Sequence, residues 1–111
     1  MDCTKVVDRY FAAVRGQDLE SVVGLFAENA TMVLPDGKEL QGVAALRAMY
    51  QHLFAVQPPT PTPTAIIPGA KGAAVEIEAR FADGTSRRTA NFFHLDPAGS
   101  IQRLSVYQRG G

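Results

Sequence analysis

The sequence predicts an α+β fold in which three N-terminal helices pack on a curved antiparallel sheet. Three observations point there. Apolar residues recur at three- and four-residue intervals in the first half. In the second half they alternate with polar ones, and Asp-, Gly- and Pro-rich turn signals cut that half into strands. Helices first and a meander after them leave the helices to cover one face of the sheet.

The first helix spans Thr4 to Arg15, where Val6, Val7, Tyr10, Phe11 and Val14 form one apolar stripe and Asp8, Arg9 and Arg15 face water. Gly16 is a stop in the left-handed C-cap conformation. Asp18 then caps a second short helix, with Glu20 at its positive end and Leu19, Val22, Val23, Leu25 and Phe26 on its buried side. Ala30 to Leu34 reads as a strand, Pro35-Asp36-Gly37 as a turn, and Lys38 to Gln41 as a short returning strand. Gly42 opens a third helix whose common face holds Ala45, Leu46, Met49, Tyr50 and Leu53. The proline-rich stretch Gln57 to Thr64 cannot be helix interior and reads as the extended lead-in to an edge strand. From Ala73 to Phe81, Val75, Ile77, Ala79 and Phe81 alternate with Glu76, Glu78 and Arg80. Asp83-Gly84 turns into a partner strand, Arg87 to Leu95, and Pro97-Ala98-Gly99 turns into the last, Ile101 to Gln108.

Composition narrows the function classes. The 111 residues make one domain, 1–111, with ordinary globular proportions of 46% hydrophobic and 20% charged residues. Lys+Arg and Asp+Glu are balanced at 11 each, so no basic excess points to nucleic acid or an anionic membrane. Cys3 is the lone cysteine, which excludes an intrachain disulfide. No apolar stretch reaches the roughly 18 residues of a membrane span, so a soluble cytoplasmic protein is expected.

The informative residues are polar ones that periodicity turns inward. Tyr10 lies on the stripe of the first helix and Tyr50 on that of the third, while Asn91 shares strand parity with Phe93 and Leu95. A polar group buried without a partner costs about 1–3 kcal/mol. These three therefore either satisfy one another as core structure or serve a ligand in a cavity between helices and sheet. His52 lies off the apolar stripe and His94 on the outward strand face. No metal-ligand spacing, phosphate loop or nucleophile elbow is present, so neither a metal nor another cofactor is implied.

The stretch VVDRYFAAVRGQDLESVVGLFAENATMVLPDG, continuing to Tyr50, resembles ketosteroid isomerase and its SnoaL-like relatives in the nuclear-transport-factor-2-like (NTF2-like) superfamily. The resemblance implies a cone-shaped fold with an apolar pocket at its mouth and a small apolar molecule as partner. It places the oxyanion-binding tyrosine on Tyr10 and its supporting tyrosine on Tyr50. The neutral carboxylic acid that completes the oxyanion hole in that enzyme falls on Asn91, whose amide donates at any pH. The proton-abstracting base, which precedes the hairpin proline, falls on Leu34, which cannot accept a proton. Asp36 is a candidate displaced base, although Asp in such a turn is expected for backbone reasons. Leu34, Met32, Phe11, Met49, Leu53, Phe81, Phe93 and Leu104 are the expected substrate-facing residues. The Asp-Arg-Asp set of limonene-epoxide hydrolases, which share the fold, has no counterpart: Asp83 and Asp96 read as turn residues, and Arg80 lies on the outer face. Two readings stay open. One is an isomerase, cyclase or lyase that polarises a carbonyl or epoxide oxygen through Tyr10 and Asn91. The other is a non-catalytic ligand-binding or dimerisation module that has lost the base. In both, the resemblance implies a homodimer through the outer sheet face.

Overall fold

A computed structural model describes residues 3–56 and 58–109. Chain order is α1 (Cys3–Arg15), α2 (Leu19–Val23), β1 (Phe26–Val33), β2 (Glu39–Gln41), α3 (Val43–Ala55), β3 (Thr60–Pro68), β4 (Gly72–Arg80), β5 (Ser86–Leu95) and β6 (Ile101–Gln108). The six strands form one curved, open sheet in the order β2-β1-β6-β5-β4-β3, with the helices on one face, the layering the sequence predicts. No helix among the described residues is long and apolar enough to cross a membrane.

The junction of α1 and α2 departs from the expected glycine stop. The left-handed residue is Gln17, at φ 53°, and not Gly16. The Asp18 amide donates to the Ala13 carbonyl (2.9 Å) and the Gln17 amide to that of Val14 (3.1 Å), the bond pattern of a Schellman cap. Asp18 meanwhile caps α2, its carboxylate accepting from the Ser21 amide at 3.2 Å. One residue thus ends one helix and starts the next. α2 is shorter than its apolar run suggests. Gly24 caps it, and Phe26 already belongs to β1, which begins four residues before the expected Ala30.

The sheet is mixed and not wholly antiparallel, a correction to the sequence reading. β1 pairs antiparallel with β2 but parallel with β6, with Met32 opposite Leu104. After the β1–β2 hairpin, α3 carries the chain across the helical layer to the far edge. The meander β3-β4-β5-β6 then works back until its last strand lies beside β1. Strand alternation specifies which face is buried but carries no information about this partner.

The proline segment is itself strand from Thr60 onward and forms the free edge; Gln57 lies outside the described residues. Pro61 and Pro63 pair opposite Ala79 and Ile77, so both occupy the same strand parity. The Pro61 carbonyl accepts from Arg15 Nη1 (3.4 Å), away from β4. The donors these prolines lack are therefore on the unpaired side, where they are not needed. At the start of β4, a Cβ on Gly72 would sit 1.9 Å from the Phe93 carbonyl oxygen, so only glycine lets β4 and β5 approach there.

Side chains from both layers make the core. Val7, Phe11 and Val14 from α1, Leu46 and Tyr50 from α3, and Val75, Phe93, Ile101 and Leu104 from the sheet are all buried. Burial on β4 and β5 follows the predicted alternation up to Ala79.

Candidate active site

Between α1, α3 and the inner sheet face lies a cavity of about 300 Å³, walled mainly by apolar side chains. Helical spacing delivers Tyr10, Phe11 and Val14 from α1 and Met49, Tyr50 and Leu53 from α3. Strand parity delivers Met32 and Leu34 from β1 and its extension, Ile77 and Ala79 from β4, Thr89 and Asn91 from β5, and Val106 from β6. Pro58, Pro59 and Pro61 complete the wall.

The ring of Tyr10 is clamped edge-on by four others, with centroids at 5.1 Å from Phe11, 5.1 Å from Phe93, 6.3 Å from Tyr50 and 6.4 Å from Phe26. Such a cage fixes the hydroxyl without any polar partner. A partner is nevertheless present: the Tyr10 and Tyr50 oxygens are 2.6 Å apart, a short hydrogen bond between buried groups. Either hydroxyl can donate. With Tyr50 as donor, Tyr10 keeps its own proton free for a ligand. Burial pushes the Tyr10 hydroxyl up to about 12, partly offset by the bond from Tyr50. Tyr50 is raised well above its ordinary value, by burial first and then by Tyr10. Both are therefore neutral donors at physiological pH.

Asn91 is 6% exposed, and its side chain makes no hydrogen bond to another described residue. Its amide is nonetheless not sealed off, since no buried side-chain nitrogen or oxygen among the described residues lacks a partner. The polar end of Asn91 opens into the cavity, where a ligand or water can reach it.

Leu34 also faces the cavity. Its backbone closes the β1–β2 turn, the amide donating to the Lys38 carbonyl and the carbonyl accepting from the Gly37 amide, both at 2.8 Å. Its side chain keeps the inward parity of Ala30 and Met32. Asp36, two residues on, is exposed and accepts from the Lys38 amide at 2.9 Å. It serves the turn and does not line the cavity, as Asp83 and Asp96 serve theirs. Among the described lining residues none carries a carboxylate, imidazole, thiol or amine. No group of three potential metal-binding side chains occurs among the described residues either.

Of the expected substrate-facing residues, Leu34, Met32, Phe11, Met49 and Leu53 line the cavity, and Phe81, Phe93 and Leu104 do not. Phe93 lies against Tyr10 as its support, and Leu104 is fully buried in the core. Phe81 falls just past the end of β4, where its amide closes the turn to Thr85 and its ring takes the Arg87 guanidinium at 5.2 Å. Thr89 was the polar wall residue that sequence reasoning passed over. Its parity with Asn91 was the signal.

A SnoaL-like domain model matches residues 7–104. Among solved structures, the chain is similar to SalBIII, described as an epoxide hydrolase/cyclase-like enzyme in pyran ring formation in the polyether salinomycin. The two share 25% identity over 96% of this chain and 89% of that one, with a TM-score of 0.83. A candidate ketosteroid isomerase from Kribbella flavida superposes with a TM-score of 0.83 at 20% identity, over 96% of this chain and 77% of that one. An NTF2-like protein of unknown function from Mesorhizobium loti does so at 0.84 and 19%, over 97% and 91%. The match across nearly the whole chain leads to one assignment: this protein belongs to the SnoaL-like domain family, built on the NTF2-like fold.

Proposed function

We propose that the protein is an enzyme of the isomerase, cyclase or lyase kind. It admits a small apolar molecule to the cavity and polarises a carbonyl or epoxide oxygen with Tyr10 and Asn91. The observation that carries this reading is the Tyr10–Tyr50 hydrogen bond at 2.6 Å facing a cavity that also receives the unpartnered Asn91 amide. Neutral donors in apolar surroundings stabilise a developing oxyanion more than they would in water. The likeness to SalBIII supports the cyclase member of the class. With Leu34 at the family's base position and no proton acceptor of ordinary basicity on the wall, the fitting reactions are those driven by electrophilic help and shape. Ring closure within one substrate is the leading example.

Titration with 2-naphthol, whose fluorescence distinguishes the neutral from the ionised form, tests this. The ionised form should bind preferentially, and Tyr10→Phe should weaken it by about 1–3 kcal/mol. Binding of the neutral form with no effect of Tyr10→Phe leaves the tyrosines as core structure. That outcome favours the second reading, a ligand-binding or dimerisation module, which rests on Leu34 and the absence of a carboxylate from the wall.

In either reading we propose a homodimer through the outer sheet face. Ile67, Phe92 and Tyr107 are 63%, 42% and 58% exposed there, with the Phe92 and Tyr107 rings 5.5 Å apart. A cytoplasmic setting fits the single cysteine, Cys3, a buried free thiol.

A further inference from the structure

We infer that Thr89 is a second polar anchor of the same cavity. The substrate would then carry two oxygen functions on one edge of an apolar skeleton, one at Tyr10 and Asn91 and the other at Thr89. This rests on the ligand-binding reading of Tyr10 and Asn91 given above.

Thr89 and Asn91 project from the same face of β5, two residues apart, a strand repeat of about 6.5–7 Å. Threonine is a good strand former, so its presence alone needs no ligand. Its surroundings are what ask for one. Thr89 is half-buried and lines the outer end of the cavity, with Ile77 opposite it on β4, Ala79 and Pro61 beside it on the wall, and Gln108 opposite it on β6 toward solvent. Among the described residues, no hydrogen bond satisfies its hydroxyl. The hydroxyl is not sealed off, since no buried side-chain nitrogen or oxygen among the described residues lacks a partner, so it is open to a ligand or water. Besides the tyrosine pair, the wall's other polar side chains are Asn91, deep and 6% exposed, and Thr89, shallower on the same strand.

A hydroxyl differs from an amide in what it recognises. Thr89 can donate or accept, so it pairs with a substrate hydroxyl, ether or carbonyl. A two-point contact also fixes orientation, since a ligand with one oxygen can swivel about Tyr10 whereas one with two cannot. Orientation is what a cavity without a base must supply if it is to promote ring closure.

Fluorescence titrations with 2-naphthol and 2,6-dihydroxynaphthalene, which differ by one hydroxyl at the far end of a rigid skeleton, test the assignment. Wild type is expected to bind the diol about tenfold more tightly than the mono-ol, the effect of one further hydrogen bond. Thr89→Val should remove that advantage by weakening the diol about tenfold more than 2-naphthol, and Thr89→Ser should keep it. Equal affinities in wild type overturn the proposal, as does a Thr89→Val effect shared equally by both ligands. Tyr10→Phe separates this from the preceding reading. If it weakens neither phenol, the oxyanion-site assignment fails, and a surviving diol preference then belongs to Thr89 alone. Valine matches threonine in shape and strand preference, and circular dichroism of both variants verifies folding.

Discussion

Replacing Leu34 by Asp puts a carboxylate against apolar walls, where burial raises its pKa into the range of a useful general base. Leu34→Asp should therefore create measurable isomerisation of a β,γ-unsaturated ketone, followed by ultraviolet absorbance of the conjugated product. An unchanged rate removes Leu34 from the base position. Tyr10 and Tyr50 make a stability prediction of opposite character. Burial raises both, Tyr10 from its ordinary 10 to about 12, so from pH 10 upward the unfolded chain loses protons that the folded chain keeps. Stability is complete below that pH and falls above it, by about 1.4 kcal/mol per pH unit for each tyrosine so held. Urea unfolding between pH 9 and 11.5 should show this slope, and Tyr50→Phe should reduce it. Gln17, left-handed without being glycine, carries a strain that Gln17→Gly relieves, raising stability by up to about 1 kcal/mol. A thermal melt that does not rise contradicts that account of the α1–α2 junction. At this scale the sequence disclosed Tyr10, Tyr50, Asn91 and Leu34, because helical spacing and strand parity already aim them inward. Thr89 and Gln17 stayed hidden. Threonine in a strand and glutamine in a turn are common, and only their surroundings distinguish them.

Element boundaries were legible wherever a pattern ended in a turn signal. β6 spans Ile101–Gln108 as the sequence suggests, and the Asp83-Gly84 and Asp96-to-Gly99 turns fall where Asp and Gly announce them. Two limits were not legible. The apolar run after Asp18 continues through Gly24 into β1 without a change of texture, so helix and strand share it. Phe81 keeps the alternation of β4 but lies beyond its last pair, Arg80 with Ser86, so pattern outlasted pairing. Gly72 illustrates a constraint that belongs to two elements at once, since its missing side chain is what Phe93 requires of β4. Gly72→Ala should force the two strands apart at that point and cost about 1–3 kcal/mol, the range for overpacking a close contact. An urea midpoint unchanged within error would show that the backbone yields there. Because Phe93 backs Tyr10, the same variant should also loosen naphthol binding.

Over the whole molecule the layering of helices on a sheet was legible and the parallel β1–β6 pair was not, because that pairing is decided by where α3 lands. The exposed cluster of Ile67, Phe92 and Tyr107 on the sheet face opposite the cavity should favour dimers. Sedimentation should find a dimer, and Phe92→Glu should shift it toward monomer without altering naphthol affinity. The open sheet also has two ends, and neither invites a visitor. β2 contributes three residues, and β3 presents Pro61 and Pro63 with no amide hydrogens on the outward side. Along the first half of β3 a stray extended chain would find no amide donors at Pro61 and Pro63, and the Pro61 carbonyl already accepts from Arg15, which disfavours a seventh strand there. The prolines of that extended lead-in thus blunt the free edge of the sheet, which leaves the exposed sheet face as the easier place for two copies to meet.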